Sequence, residues 1–281
     1  MDNKTFGYKQ LIVPNIVHYV LFTIHEIEFA HFISILSVLK NQRPEIIYIH
    51  CDCHQISGQY FQRVLKVADK VNTKVIVRYV DKPTEIFGKK LKDNWINWYI
   101  MPIKVLIEFG GIYLDNDIYV VKSLDVFRKN KITLYWDTYM HLDNQLIIAH
   151  KKTAFLKVML NLFYYYDNTV WYFIREFVTK DYLMKRPELV VSMAKFGFNG
   201  TTVCHKLYQM YYKDWKTEFY AIHMLLKGNK ISTYNKFYCF GVFHWIYQTI
   251  TEFDEHSVRQ LNITFSEMCG QVFDFEYNLI H

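Results

Sequence analysis

The chain has 281 residues, 51% of them apolar and 21% charged, with 22 Phe and 23 Tyr; this excludes a disordered segment and suits one large packed α/β unit. Its 33 Lys and Arg against 27 Asp and Glu give a formal net charge of +6, and since the basic residues form no run, a nucleic-acid interface is not indicated. No stretch reaches about 18 consecutive apolar residues, so no membrane span is expected, and the greasiest N-terminal run, Ile16 to Ile24, is interrupted by His18 and does not read as a signal peptide.

Ile16 to Phe22 is a β-prone run leading into Glu26 to Leu39, where Phe29, Phe32, Ile33 and Leu36 recur at helical spacing and Pro44 closes the element. Ile46 to Ile49 predicts a second strand, Tyr60 to Val71 a second helix and Lys74 to Val80 a third strand. Right-handed crossovers make such a series a parallel, Rossmann-like sheet. Leu91 to Phe109 reads as helical, with Pro102 starting a new helix because it cannot donate a backbone hydrogen bond. Gly110-Gly111 stops it, and Ile112 to Leu114, Ile132 to Trp136 and Leu146 to Ala149 are further β-prone pieces.

Beyond Lys151 the character becomes helical, over Ala154 to Tyr166, Trp171 to Met184, Thr202 to Tyr212 and Phe219 to Leu226. The aromatic run Phe163 to Tyr166 with Trp171 to Phe173 reads first as helical core and second as an acceptor-sugar platform. No repeat or linker divides the chain, so residues 1–281 form one domain: a nucleotide-binding half over about 12–150 and a helix-rich half over about 151–281. Five cysteines, Cys51, Cys53, Cys204, Cys239 and Cys269, lack zinc-ligand spacing and read mostly as buried apolar fillers, with room for one or two disulfides. Sequons begin at Asn3, Asn199 and Asn262 without establishing secretion.

The chemistry is concentrated in Glu108-Phe-Gly-Gly-Ile-Tyr-Leu-Asp-Asn-Asp117. Residues i and i+2 of an extended chain share a face, so Asp115 and Asp117 can converge just past the end of a strand. Ligands bind outside the carboxyl ends of parallel strands. Mg²⁺ or Mn²⁺ is commonly held there by one or two carboxylates plus substrate phosphate oxygens, so a diphosphate is the expected ligand. The glycines Gly110 and Gly111, with no side chain and unusual backbone angles, predict a main chain that a bulky ligand can approach closely.

Phe109-Gly-Gly-Ile-Tyr-Leu-Asp-Asn-Asp-Ile-Tyr-Val-Val-Lys-Ser-Leu-Asp125 closely resembles the Asp-x-Asp region of glycosyltransferase family 32, particularly its animal members. Val13-Pro-Asn-Ile-Val-His-Tyr-Val20 resembles the opening strand of that family, and Leu146 to Lys151 and Tyr220 to Leu225 lend support. The resemblance implies a GT-A fold and a retaining transfer from a nucleoside-diphosphate sugar, UDP-sugar favoured, to a glycan, lipid or protein. It also implies Mn²⁺ (or Mg²⁺) and work in the Golgi lumen behind an N-terminal anchor; no anchor is read in this sequence, so a soluble cytoplasmic or a truncated chain is the alternative. Asp117 would bind the metal, Asp115 the metal or the donor, and His223 would add a third metal or pyrophosphate contact, with His244 as its competitor. His18 and Tyr19 would meet the nucleotide base. Trp136, Asp137, Asp143, Asn144 and Gln145 would face the donor or acceptor sugar, and no protein nucleophile is assumed. Where the family carries an Asp and an Arg that contact the donor sugar, this chain has Tyr99 and Pro102. That departure leaves open a catalytically silent homologue that binds a nucleotide-sugar or a partner enzyme.

Overall fold

The computed structural model describes residues 7–91, 97–136, 142–165, 183, 185–186, 189–192, 196–197, 204–227, 230–231 and 252–281. Strand β1 (Ile16–Leu21), helix α1 (Phe29–Asn41), β2 (Ile46–Cys51), α2 (Gln59–Lys70) and β3 (Lys74–Tyr79) follow one another as the periodicity predicts. A two-stranded hairpin, β4 (Glu85–Ile86) and β5 (Lys89–Lys90), comes next. After it lie α3 (Asn97–Phe109), β6 (Gly111–Leu114), β7 (Ile118–Val120), β8 (Ile132–Trp136), β9 (Leu142–Ala149) and α4 (Ala154–Asn161). Short strands β10 (Val191–Ser192), β11 (Phe196–Gly197) and β12 (Ala221–His223) precede a C-terminal helix, Thr264–Ile280.

The main sheet has seven strands in the order β10-β8-β9-β6-β1-β2-β3. Among the described strands only β9 runs against its neighbours, so the sheet is mixed and mostly parallel, as expected. Side chains alternate across it. Val17, Tyr19 and Leu21 of β1 join one core with α1, α2 and the C-terminal helix; Val20 joins a second core with α3 and α4. Burying both faces explains why the strands read as near-continuous apolar runs. Helices cover the C-terminal half only in part, since β10, β11 and β12 also lie there.

Three details depart from the sequence reading. First, Pro102 does not start a helix; α3 runs through it. A proline leaves the carbonyl four residues earlier without its donor, here that of Trp98, and the Asn144 side-chain amide donates to this oxygen at 3.2 Å. Asn144 therefore repairs the helix. Asn144→Ala is expected to cost about 1 kcal/mol by urea unfolding, and less when combined with Pro102→Ala, which restores the missing N–H. Additive losses in that double-mutant cycle would refute the repair.

Second, Phe219 to Leu226 is not helical: Ala221–His223 is a strand whose partner lies about a hundred positions upstream. Third, the aromatic run is not all core. Phe163 is buried, but Tyr164 and Tyr165 are 62% and 64% exposed on the 3-10 turn Leu162–Tyr165. The helix expected over Thr202 to Tyr212 is present as a π-helical turn, His205–Gln209. The helix expected from Trp171 lies almost entirely outside the described residues.

The cysteines are also less inert than their composition suggests. Cys51 and Cys53 are joined by a disulfide, Cys204 is disulfide-bonded, and Cys269 is a buried free thiol.

Candidate metal centre

The strands β1, β2, β3, β6 and β8 all end at one rim of the sheet, and the chain passes from β6 through Asp115, Asn116 and Asp117 into β7 there. The turn is fixed at every step. Asp115 N–H donates to the Gln145 carbonyl of β9 at 2.7 Å, and Ile118 N–H to the Asp115 carbonyl at 3.2 Å. Asn116 N–H meets Asp115 Oδ1 at 3.0 Å. The Asn116 side chain reaches back to the Val20 carbonyl of β1 at 3.1 Å.

Strand β7 is held from both sides. On one side it pairs antiparallel with β12, Ile118 opposite His223. On the other, a polar stripe on the otherwise apolar α1 takes the place of a neighbouring strand. Ser34 Oγ donates to the Ile118 carbonyl at 2.6 Å, Ser37 Oγ accepts from Val120 N–H at 2.9 Å, and the Asn41 amide donates to the Val120 carbonyl at 2.8 Å. All three lie on one helical face, at i, i+3 and i+7.

This pairing brings His223 to the carboxylates. His223 Nε2 lies 3.0 Å from Asp117 Oδ1. Leu226 N–H donates to Asp117 Oδ2 at 2.8 Å and Met224 N–H to the Asp117 carbonyl at 2.9 Å. Between these two donors Leu225 adopts a left-handed conformation, φ 60°, uncommon for a branched side chain and worth its cost where it aims both amides at one residue. Ligand atoms of Asp115, Asp117 and His223 all lie within 4.8 Å of one another. Two hard carboxylate oxygens and one imidazole nitrogen suit a divalent cation. His31, on the first turn of α1, was not anticipated. Burial holds its pKa down to about 4, opposed by the Asp117 charge. Its only sequence signal is a ring nitrogen at the start of an apolar helix.

The other expected site residues fall elsewhere. His18 and Tyr19 are buried in the sheet, on its opposite faces. Tyr19 bonds Ser34 at 3.0 Å, and His18 Nε2 lies 2.8 Å from the Gly110 carbonyl. Gly110 and Gly111 sit at the far end of β6 from the carboxylates. A side chain on Gly110 would meet the Lys151 backbone nitrogen at 2.9 Å; on Gly111 it would meet the Ile16 carbonyl at 2.5 Å. The space expected for a ligand is filled by neighbouring strands, and φ of 69° and 116° adds the second reason for glycine. Gly111→Ala is accordingly expected to cost at least about 2 kcal/mol, read as a lowered urea midpoint; an unchanged midpoint would contradict the close approach.

Gln145 and Asn144 do lie at the rim, through the Gln145 carbonyl on Asp115 and the Asn144 bond to α3. Trp136 ends β8 beside Leu142, and Asp143 pairs in register with Tyr135. Asp137 and His244 lie outside the described residues. Among the described residues, Asn97 Oδ1 at the start of α3 and Asn116 Oδ1 are buried without a hydrogen-bond partner, a state that costs about 1–3 kcal/mol apiece.

A mostly parallel sheet with helices on both faces, and two carboxylates with a histidine converging where its strands end, defines an α/β protein with a candidate divalent-cation centre. No family model matches the chain. It is similar to glucan organizing enzyme 1 of Cryptococcus neoformans var. grubii serotype A, 25% identical over 187 residues, 58% of this chain and 47% of that protein. It thus spans about half the length of the curated relative it matches. Among solved structures it superposes on the galactosyltransferase LgtC in complex with donor and acceptor sugar analogs, TM-score 0.45 at 13% identity over 74% of this chain and 86% of that one. It also superposes on the glycosyltransferase GlyE of Streptococcus pneumoniae TIGR4, TM-score 0.49 at 10% identity over 95% and 64%.

Proposed function

We propose that this chain is a metal-dependent glycosyltransferase of GT-A type that moves a sugar from a nucleoside-diphosphate sugar, UDP-sugar favoured, to a glycan, lipid or protein, with retention. The observation that carries the reading is the Asp115, Asp117 and His223 cluster at the carboxyl rim of the sheet, together with the family 32 resemblance of the segment that supplies both aspartates. Bound there, Mn²⁺ or Mg²⁺ would neutralise charge on the departing diphosphate. The chain's own contribution is to hold both carboxylates in one place through β7, β12 and the serines of α1, so that little reorganisation is needed on loading. The buried, unpartnered oxygens of Asn97 and Asn116 suit a hydroxyl-rich ligand, whose O–H groups would satisfy them. Disulfides at Cys51–Cys53 and Cys204 fit an oxidising compartment.

The test is Mn²⁺-dependent hydrolysis or transfer over a panel of UDP- and GDP-sugars. Nucleotide binding without turnover would favour a silent homologue, the reading that Tyr99 and Pro102 support. Absence of both metal and nucleotide binding would sink the site assignment.

A further inference from the structure

The hairpin β4–β5 turns through Phe87 and Gly88, both with positive φ, 49° and 74°. A two-residue turn of this kind favours Asn-Gly, because a bulky side chain is strained at its first position. Here that position holds a phenylalanine that is 49% exposed, so neither turn chemistry nor core burial accounts for it. Beside it stand Tyr164, ring centroids 6.0 Å apart, and Tyr165, 5.6 Å from Tyr164. Lys89 Nζ lies 6.0 Å from the Tyr164 ring centre, and Lys90 follows it, opposite Glu85 across the hairpin.

The platform is anchored. Ile86, next to Phe87, and Phe163, next to Tyr164, are buried in the same core, so three exposed rings and two lysines are held together on two unrelated segments. The patch also has a direction. The hairpin follows the carboxyl end of β3, and the turn Leu162–Tyr165 stands beside it through the Phe87–Tyr164 ring contact. Both segments therefore emerge on the rim where Asp115 and Asp117 lie.

We propose that Phe87, Tyr164, Tyr165, Lys89 and Lys90 form a peripheral docking surface for a lipid bilayer carrying anionic headgroups. A protruding phenylalanine suits the acyl boundary, while tyrosines with an apolar body and a polar tip suit the headgroup level. Lysines on the same tip complement anionic lipid. The chain would lie on the membrane, not cross it: among the described residues no helix is long and apolar enough to span one. Docking there sets the carboxyl rim of the sheet toward the bilayer surface.

Co-sedimentation of the full chain with phosphatidylcholine vesicles, with and without phosphatidylserine, tests this. Strongest binding is expected on the phosphatidylserine vesicles, falling as salt rises. Phe87→Asn with Tyr164→Ser and Tyr165→Ser should weaken it at least about tenfold; Asn-Gly keeps the hairpin, and an unchanged thermal midpoint verifies the fold. Lys89→Gln with Lys90→Gln should weaken it roughly fivefold per lysine. Failure of the unmodified chain to sediment, or sedimentation of the aromatic variant equal to it, overturns the proposal. So does a raised KM for a soluble oligosaccharide in the aromatic variant with vesicle binding unchanged, which would make the patch a sugar platform. Asp117→Asn should sediment normally, so the outcome does not depend on the transferase reading.

Discussion

Replacing Asp117 by Asn is expected to lower metal-dependent turnover by at least about a thousandfold, equivalent to about 4 kcal/mol of transition-state stabilisation. Asn is the informative change, because its side-chain oxygen still accepts from Leu226 N–H, the bond that holds the Met224–Leu226 turn at 2.8 Å. Asp117→Ala removes that acceptor as well, leaving a buried amide unpaired, and confounds chemistry with folding. The comparison to make is turnover and Mn²⁺ binding of Asp117→Asn beside its urea midpoint. Retained turnover would exclude this carboxylate from the reaction, whereas an unfolding free energy lowered by more than about 2 kcal/mol would assign it a structural role. His223→Ala should reduce metal affinity less than Asp117→Asn does, since it removes a neutral ligand and keeps both charges.

The second large effect concerns acid. His18 Nε2 must donate to the Gly110 carbonyl, 2.8 Å away, so its Nδ1 accepts from His50 Nε2 at 3.0 Å. His50 Nδ1 is then a bare acceptor, buried with no partner among the described residues. The pair is stacked among Tyr48 and Phe109, with Arg78 over the Phe109 ring. Burial lowers His18 from 6.5 to about 4; for His50, burial and then the His18 and Arg78 charges lower it to about 3. In the unfolded chain both rings take up protons as pH falls below 6.5, and in the folded chain they do not. Stability is thus full above about 6.5 and falls as the pH drops toward the folded values.

At a rate of about 1.4 kcal/mol per pH unit per group, the pair should cost on the order of 3 to 5 kcal/mol by pH 4.5. That is a large share of the roughly 5–15 kcal/mol of a typical domain. Urea unfolding between pH 7.5 and pH 4.5 measures it. His50→Gln, whose amide can still donate to His18 but does not titrate, should remove about one proton from the slope; an unaltered slope would place the acid sensitivity elsewhere.

Local pattern made much of this legible. The strands and helices from Ile16 to Tyr79 follow directly from apolar periodicity, because both faces of the sheet are covered and each helix has one wet side or a short polar interruption. Asp115 and Asp117 were visible for the same reason: a glycine pair, a short apolar strand and alternating carboxylates are contiguous in sequence. The glycines are legible only in part. Their backbone freedom was evident, but that it serves the approach of β1 and β9, and not of a ligand, depends on strands distant in the chain.

The order of residues by itself therefore determined the α/β layering and the place where two carboxylates meet, since both rest on residues close together in sequence. Only the tertiary structure decided that Ala221–His223 is a strand, that it pairs with β7 and so delivers His223 to Asp117, and that serines of α1 close the other edge. A short segment has no periodicity strong enough to choose helix or strand, and its state is set by hydrogen bonds to a partner about a hundred residues away. The same holds for Pro102, whose tolerance inside α3 rests on one amide from β9.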